Sequence, residues 1–106
     1  MSLLNNTIAA DLESGAYTAR LISYKEVDDG IHKPYVALLL EANGQQIEDR
    51  LYESRLPYFM RSIRPQLGLQ FVACNLEEIL DAATKTDFTI TIEYDQQYGR
   101  LISYSA

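Results

Sequence analysis

Three stretches of the first half of the chain are rich in strand-favouring residues and are bounded by turn residues, a pattern that is typical of β-strands. The stretches span residues 16–27, 35–42 and 46–53 and are rich in Tyr, Ile, Leu and Val. Asn43-Gly44 separates the second stretch from the third. Both residues tolerate the positive φ of a type I′ turn, so this pair predicts a tight hairpin. The pattern therefore predicts three consecutive strands.

The apolar spacing then lengthens to three and four residues, which indicates helices. The first apolar stripe consists of Leu56, Phe59, Met60, Ile63 and Leu67. We expect Ser54 to be its N-cap and Gly68 to end it. A second, shorter helix is predicted over residues 76–84, because Asn75 and Glu78 have the spacing of a capping box.

Two further strands complete the pattern. Residues 88–94 alternate cleanly, and Phe88, Ile90, Ile92 and Tyr94 are predicted to face the core. A turn over residues 95–99 leads to a last strand over residues 101–104.

The order β-β-β-α-β-β predicts a mainly β fold with a helical insertion. The five-stranded OB barrel has this order, with its helix between strands three and four. We therefore expect an OB-like barrel. The alternative is a small α+β meander with its helices on one face. The chain is expected to form a single domain over residues 1–106, with residues 1–14 as an N-terminal arm.

Composition argues against most classes of enzyme. Cys74 is the only cysteine and His32 the only histidine, so an internal disulfide and a thiolate metal cluster are excluded. The acidic residues lack the spacing of a calcium loop or a two-metal nuclease, and no glycine-rich phosphate loop is present. We expect no enzyme, no cofactor and no metal site. Short apolar runs and an N-terminus without a basic region predict no membrane segment, no secretory signal and a cytoplasmic location.

Charge is unevenly distributed along the chain. The net charge of -6 is wrong for a protein that binds nucleic acid through bulk positive charge alone. Residues 55–70 nevertheless contain Arg55, Arg61 and Arg64 and no acid, whereas residues 76–95 contain six acids and only Lys85. A local basic groove is therefore compatible with the acidic total.

Three of the predicted strands carry an arginine and a tyrosine an even number of residues apart. The pairs are Arg20 with Tyr24, Arg50 with Tyr52, and Arg100 with Tyr104. Even spacing puts side chains on one face of a strand, and arginines beside exposed aromatic rings hold single-stranded nucleic acid. Arg61 and Arg64 on the first helix and Tyr98 in the last hairpin would extend this surface. Alternatively, the tyrosines are ordinary strand residues with buried rings and the arginines lie on solvated faces.

Several short motifs resemble the small phage-encoded single-stranded-DNA-binding proteins. The motifs are Gly15-Ala16-Tyr17, Lys33-Pro34-Tyr35, the stretch 44–50 and Leu67-Gly68, and the resemblance covers most of residues 15–104. It implies an OB-type fold and a role in phage or mobile-element replication and recombination. The chain has no Trp, so stacking on bases would fall to tyrosine.

Two functional hypotheses follow. The leading one is a non-catalytic single-stranded-DNA-binding protein of phage or mobile-element origin. Its bases would stack on Tyr24, Tyr52 and Tyr104, and its phosphates would pair with Arg20, Arg50 and Arg100. Its partners would be single-stranded DNA, host or phage replication and recombination proteins, and further copies of itself, since exposed edge strands invite pairing. The alternative is a protein-interaction module, such as a phage-encoded inhibitor or DNA mimic, which the acids of residues 76–95 favour.

Overall fold

One long strand organises the sheet. In a computed structural model that describes residues 2–106, β1 (Gly15–Val27) pairs antiparallel with β2 (Tyr35–Ala42) along its second half. Another strand in the middle of the sheet, β4 (Phe88–Asp95), pairs with its first half. The edges are β3 (Gln45–Tyr52), beside β2, and β5 (Gly99–Ser103), beside β4.

The strand order is β3-β2-β1-β4-β5, and every pairing is antiparallel. The mainly β class is therefore confirmed. Backbone pairing does not close the sheet within residues 2–106, since β3 and β5 each have one neighbour only.

The hairpin between β2 and β3 forms where the sequence predicts it. Asn43 and Gly44 both have positive φ, 51° and 76°, as a type I′ turn requires. The turn sets the register, which pairs Leu40 with Ile47. Both of these side chains are buried, and a slip of one residue would expose them to water.

Two eight-residue helices lie between β3 and β4. The first, α1 (Leu56–Ile63), buries Phe59 and Ile63 in the core. A turn of 3-10 helix over Glu53–Arg55 precedes it, so Arg55 rather than Ser54 occupies the N-cap position, and the prediction for Ser54 is wrong.

The end of the first helical segment follows the prediction more closely. A second 3-10 turn, Arg64–Leu67, continues from α1 and stops at Gly68, whose φ is 72°. Gly68 can adopt this left-handed conformation without the cost that a Cβ would impose.

The second helix, α2 (Leu76–Ala83), begins with the predicted capping box. The backbone N–H of Glu78 donates to the Asn75 side chain at 2.9 Å, and the backbone N–H of Asn75 donates to the Glu78 carboxylate at 3.1 Å. Among residues 2–106, no helix is long and apolar enough to cross a membrane.

A single core joins the inward residues of all five strands to both helices. Its fully buried large side chains include Leu21, Leu40, Leu51, Ile63, Ile79, Ile90 and Ile92. Phe88, Ile90 and Ile92 face this core as predicted. Tyr94 lies on the same face of β4, where its hydroxyl donates to the Leu12 carbonyl, but its side chain remains 48% exposed and is not part of the core.

The N-terminal arm is attached only at its base. Leu12 is buried, and the side chains of Tyr17 and Gln45 donate hydrogen bonds to the carbonyls of Glu13 and Ala10 at 2.7 and 2.9 Å. Residues 2–9 are exposed, among them the apolar Leu3, Leu4 and Ile8. Met1 lies outside the described residues.

Candidate nucleic-acid interface

The arginine and tyrosine of β1 lie on opposite faces of the sheet. The register of β1 against β2 shifts between Leu21 and Ser23, which is a β-bulge. Before it, Arg20 pairs with the exposed Glu41; after it, Tyr24 pairs with the buried Leu38. A bulge adds one residue to one strand and so reverses the alternation beyond it. The prediction that Arg20 and Tyr24 share a face is therefore wrong.

Both of these side chains are engaged within the protein. The Nε atom of Arg20 lies 2.8 Å from Oδ1 of Asp87 and forms an ion pair with it. The Tyr24 hydroxyl donates a hydrogen bond to Asp81 on α2. This bond, with a smaller contribution from burial, raises the pKa of Tyr24 to about 12. Tyr24 therefore helps to fix α2 against β1 and is not available to stack on a base.

Arg100 and Tyr104 share a face, as predicted, but it is the inner one. Tyr104 is only 3% exposed, and its ring packs edge-on against Phe59 with centroids 4.7 Å apart. Its hydroxyl donates to Asp49 on β3 at 2.7 Å. Tyr104 is thus a core residue, and the prediction that it stacks on bases is wrong.

Two arginines accompany Tyr104 where β5 approaches β3. Arg100 donates to the Glu48 carbonyl at 2.6 Å. Arg55 donates to the Asp49 carboxylate at 3.1 Å and to the Ile102 carbonyl at 3.2 Å. We call Asp49, Arg55, Arg100 and Tyr104 the edge seam, because their side chains join the two edges of the open sheet.

The predicted helix arginines have different roles. Arg64 donates to the carbonyls of Leu69, Gln70 and Val72 at 2.9 to 3.1 Å, so it fixes the loop before α2. Arg61 is exposed, and its guanidinium carbon lies 5.9 Å from the ring centroid of Tyr58. Arg61 therefore remains free for a ligand and Arg64 does not.

Tyr98, the predicted tyrosine of the last hairpin, is exposed. It lies in the turn between β4 and β5, where its backbone N–H donates to Asp95 at 3.0 Å, and its side chain is 70% exposed. The hairpin leaves this ring on the surface, and the turn fixes its backbone.

Arg50 and Tyr52 do share the outer face of β3, and a third residue joins them. Tyr35 pairs with Tyr52 across the hairpin, and their ring centroids are 5.3 Å apart. The guanidinium carbon of Arg50 lies 4.7 Å from the centroid of Tyr35. We call Tyr35, Arg50 and Tyr52 the outer cluster.

Sequence reasoning missed Tyr35, although a signal was present. Asn43 and Gly44 form a two-residue turn, so residues equally distant from it pair across the hairpin. Tyr35 is as far before Asn43 as Tyr52 is after Gly44. The turn therefore identifies the two tyrosines as neighbours.

Arg50 gives the outer cluster a positive charge. Arg50 forms no ion pair with any residue of the described part of the chain. Its contact with the Tyr52 side chain raises its pKa further, so the guanidinium remains charged. Lys25 on β1 and Arg50 on β3 both lie opposite Ala37, the small residue between them on β2. Two cations thus flank a shallow depression of about 260 Å³, which the acids Glu48 and Asp49 also line.

The loop between β1 and β2 adds a second concavity beside the cluster. A hollow of about 470 Å³ is lined by Val27, Asp29, His32, Lys33, Tyr35, Arg50 and Tyr52. We call it the loop hollow. Its size lies within the usual range of ligand sites.

Asp29 gives this loop a defined shape. One carboxylate oxygen accepts from the backbone N–H groups of Ile31 and His32, both at 2.8 Å. The other oxygen lies 2.7 Å from Nδ1 of His32. These bonds, of which the one to the His32 side chain contributes most, lower the pKa of Asp29 to about 2.

The described residues contain no group of three or more His, Cys, Asp or Glu side chains arranged to hold a metal ion. No family model, curated protein or solved structure matches the chain. The chemistry of the site therefore has to be inferred from the outer cluster and the loop hollow. Together they offer aromatic rings, an unpaired guanidinium and two lysines on one face.

Proposed function

We propose that the chain is a non-catalytic single-stranded-DNA-binding protein, and that the DNA lies across the outer cluster and the loop hollow. The observation that carries the proposal is Arg50, a guanidinium without a carboxylate partner beside two tyrosine rings. Guanidinium groups pair with phosphates, and aromatic rings stack on bases without regard to sequence. The other strand arginines, Arg20 and Arg100, already have partners within the protein.

An OB-type barrel is the fold that we propose for this function. The strand order and the helices between β3 and β4 support it, and so does the edge seam, which brings β3 and β5 within side-chain reach. OB folds are partly open barrels that bind oligonucleotides on strands two and three and with the loops after strands one and four. The outer cluster belongs to β2 and β3, and the loop hollow follows β1.

The binding mode follows from the arrangement of charges and rings. A base would stack on the tyrosines of the outer cluster, and each such stack contributes about 1–3 kcal/mol. The adjacent phosphates would contact Arg50, Lys25 and Lys33, which line the two concavities. Each phosphate contact releases counterions, so affinity should fall as salt rises.

The alternative of a DNA mimic has less support. It needs free carboxylates laid out like phosphates, yet four of the six acids in residues 76–95 serve the fold. These are Glu78 in the capping box, Asp81 with Tyr24, Asp87 with Arg20, and Asp95 with the N–H groups of its own turn. We therefore favour DNA binding. The resemblance to phage-encoded single-strand binders makes replication or recombination of phage or mobile-element DNA the process that we propose.

Titration of labelled oligo-dT at two salt concentrations tests the proposal. We expect the protein to bind at low salt and to bind more weakly at high salt. Arg50→Ala and Tyr52→Ala should each weaken binding roughly tenfold, the loss of one phosphate or stacking contact.

The arginine and tyrosine of α1 provide matched controls. Arg61→Ala and Tyr58→Ala remove the same groups from an exposed pair on a helix that packs on the opposite side of the sheet. We expect both variants to bind as the unchanged protein does. Absence of binding by the folded protein at low salt would reject the proposal, and losses confined to Arg61→Ala and Tyr58→Ala would move the DNA path to α1.

A further inference from the structure

We propose that the loop hollow is a phosphate subsite in which His32 donates a hydrogen bond to the DNA backbone only when its imidazole is protonated. Asp29 is the positioning residue that makes this contact depend on the proton. The inference rests on the proposed function. It names the DNA phosphate as the group that the loop hollow binds and protonation of His32 as the condition for that contact.

The geometry of the loop determines where the imidazole carries its proton. The Asp29 carboxylate is ionised, because its pKa is lowered to about 2, and an ionised carboxylate can only accept. Nδ1 of His32, 2.7 Å from that carboxylate, must therefore be the N–H donor. In the neutral imidazole the other ring nitrogen, Nε2, then has no hydrogen and is an acceptor.

Protonation changes what Nε2 offers to a ligand, and His32 is one of the residues that line the hollow. The neutral ring offers a lone pair, which repels a phosphate oxygen, whereas the imidazolium offers an N–H donor and a positive charge. The His32 side chain is 80% exposed, so a ligand can reach this nitrogen. The pair formed by His32 and Asp29 changes its total charge from negative to zero in the same step.

The surrounding charges favour coupling between the proton and the ligand. The titratable and charged groups lining the hollow are Asp29 and Lys33 of the loop, Tyr35 of β2, and Arg50 and Tyr52 of β3. Lys33 and Arg50 attract an anion and oppose a third positive charge in the empty hollow. A bound phosphate offsets that repulsion, so phosphate binding and protonation of His32 should each strengthen the other.

The test measures oligo-dT affinity against salt at pH 5.5 and pH 8, on either side of the range in which histidines ordinarily titrate. We expect roughly tenfold tighter binding at the lower pH, the value of one charge-assisted hydrogen bond. The slope of log affinity against log salt should become steeper by about 0.7, the increment for one more phosphate contact on a single strand.

Two variants separate the roles of the pair. His32→Gln has no group that gains a proton in this range, so it should lose the gain at pH 5.5 and bind with similar affinity at the two pH values. Asp29→Asn removes the charge that fixes the proton on Nδ1 but retains an oxygen for the backbone N–H groups of the loop. It should bind more tightly than the unchanged protein at pH 8 and show a smaller change with pH, whereas His32→Gln should bind more weakly than the unchanged protein at pH 5.5.

Oligo-dT with an uncharged backbone tests whether the group that His32 contacts is a phosphate. Oligo-dT with methylphosphonate linkages keeps the bases and removes the phosphate charge, so its weaker binding should show no gain at pH 5.5. If His32→Gln keeps the full pH response, or if the methylphosphonate strand shows it, the subsite is wrong although the DNA-binding proposal stands. If no oligonucleotide binds at either pH, the proposed function itself fails.

Discussion

Two neighbouring residues of β3 belong to two arginine–tyrosine assemblies with opposite roles. Asp49 points inward and joins Arg55 and Tyr104 in the edge seam, whereas Arg50 points outward and joins the two tyrosines of the outer cluster. Both assemblies combine arginine with tyrosine. What differs is that the seam contains a carboxylate and the cluster does not, so the seam is complete within the protein and the cluster can accept an anion.

Burial reinforces this difference. The Asp49 side chain is 14% exposed, so its charge and hydrogen bonds must be satisfied by the protein. Arg50 is exposed, and water can solvate its guanidinium whenever no ligand is bound. Removal of a seam residue should therefore cost stability, and removal of a cluster residue should cost binding.

Asp49→Ala should have the largest effect on stability. It removes the acceptor of Tyr104 and the charge partner of Arg55 in one change, leaving a buried hydroxyl without a protein acceptor. Losses of this kind cost about 1–3 kcal/mol per unsatisfied group, and we expect a fall of about 3 kcal/mol in the free energy of unfolding. Urea denaturation followed by circular dichroism measures it.

Glu48 provides the control for this variant. It is the neighbouring carboxylate on β3, it is exposed, and Arg100 binds its backbone carbonyl rather than its side chain. Glu48→Ala should change the free energy of unfolding by less than about 0.5 kcal/mol. Equal losses in Asp49→Ala and Glu48→Ala would show that charge on β3, and not the edge seam, stabilises the sheet.

Stability and DNA affinity, both measured for an arginine of the edge seam and an arginine of the outer cluster, should separate the two assemblies. Arg55→Ala should lower the free energy of unfolding by about 1–2 kcal/mol, because Asp49 loses its charge partner and the Ile102 carbonyl loses a donor. DNA affinity of the folded variant should be unchanged.

Arg50→Ala should leave the free energy of unfolding nearly unchanged and should weaken DNA binding roughly tenfold. The slope of log affinity against log salt should fall by about 0.7. A variant that impaired both properties equally would contradict the division of roles on β3.

Local patterns in the sequence predicted most of the fold. Strand-favouring stretches bounded by turn residues located all five strands, and the capping box of Asn75 and Glu78 located α2. The turn at Asn43-Gly44 predicted the β2–β3 hairpin, and the same turn fixes Tyr35 opposite Tyr52. These features were predictable because each depends on residues close together in the chain.

The site was predicted only in part, because tertiary contacts decide which face a residue occupies. Nothing between Arg20 and Tyr24 marks a bulge, since neither glycine nor proline occurs there and the register shift exists only against β2. The inward orientation of Arg100 and Tyr104 on the last strand could have been predicted from the sequence. Ile102 lies between Arg100 and Tyr104 with the same spacing, and an apolar residue at that position favours the core.

The hydroxyl of Tyr104 makes the stability of the edge seam depend on alkaline pH. Burial, and then the charge of Asp49, raise the pKa of Tyr104 well above 10.0. A group whose pKa is raised on folding contributes stability that is complete below its unfolded pKa and is lost as pH rises beyond it. The protein should therefore lose stability above about pH 10, where unfolded tyrosine ionises.

Tyr104→Phe isolates this contribution. At pH 7 the variant should be about 1 kcal/mol less stable, the value of one hydrogen bond, and its stability should decline less between pH 9 and pH 11. Tyr52→Phe in the outer cluster should retain the alkaline decline of the unchanged protein. Denaturation curves of the three proteins at both pH values measure the difference, and parallel declines in all three would contradict the role of Tyr104.

Arg20→Ala should have the smallest effect on both stability and DNA affinity. It tests whether the DNA-binding surface extends from the outer cluster to Arg20. Arg20 also lies on the outer face, but its surroundings contain two carboxylates, Asp87 at 2.8 Å and the opposing Glu41. Both partners of the ion pair are more than half exposed, so its loss should cost less than about 0.5 kcal/mol. Arg20→Ala and Arg50→Ala change the net charge equally, yet only Arg50→Ala should weaken oligo-dT binding. The carboxylates around Arg20 repel a phosphate, so Arg20 should make no direct contact with the DNA. If the two variants nevertheless bind DNA equally weakly, long-range charge holds the strand, and a guanidinium beside tyrosine rings does not.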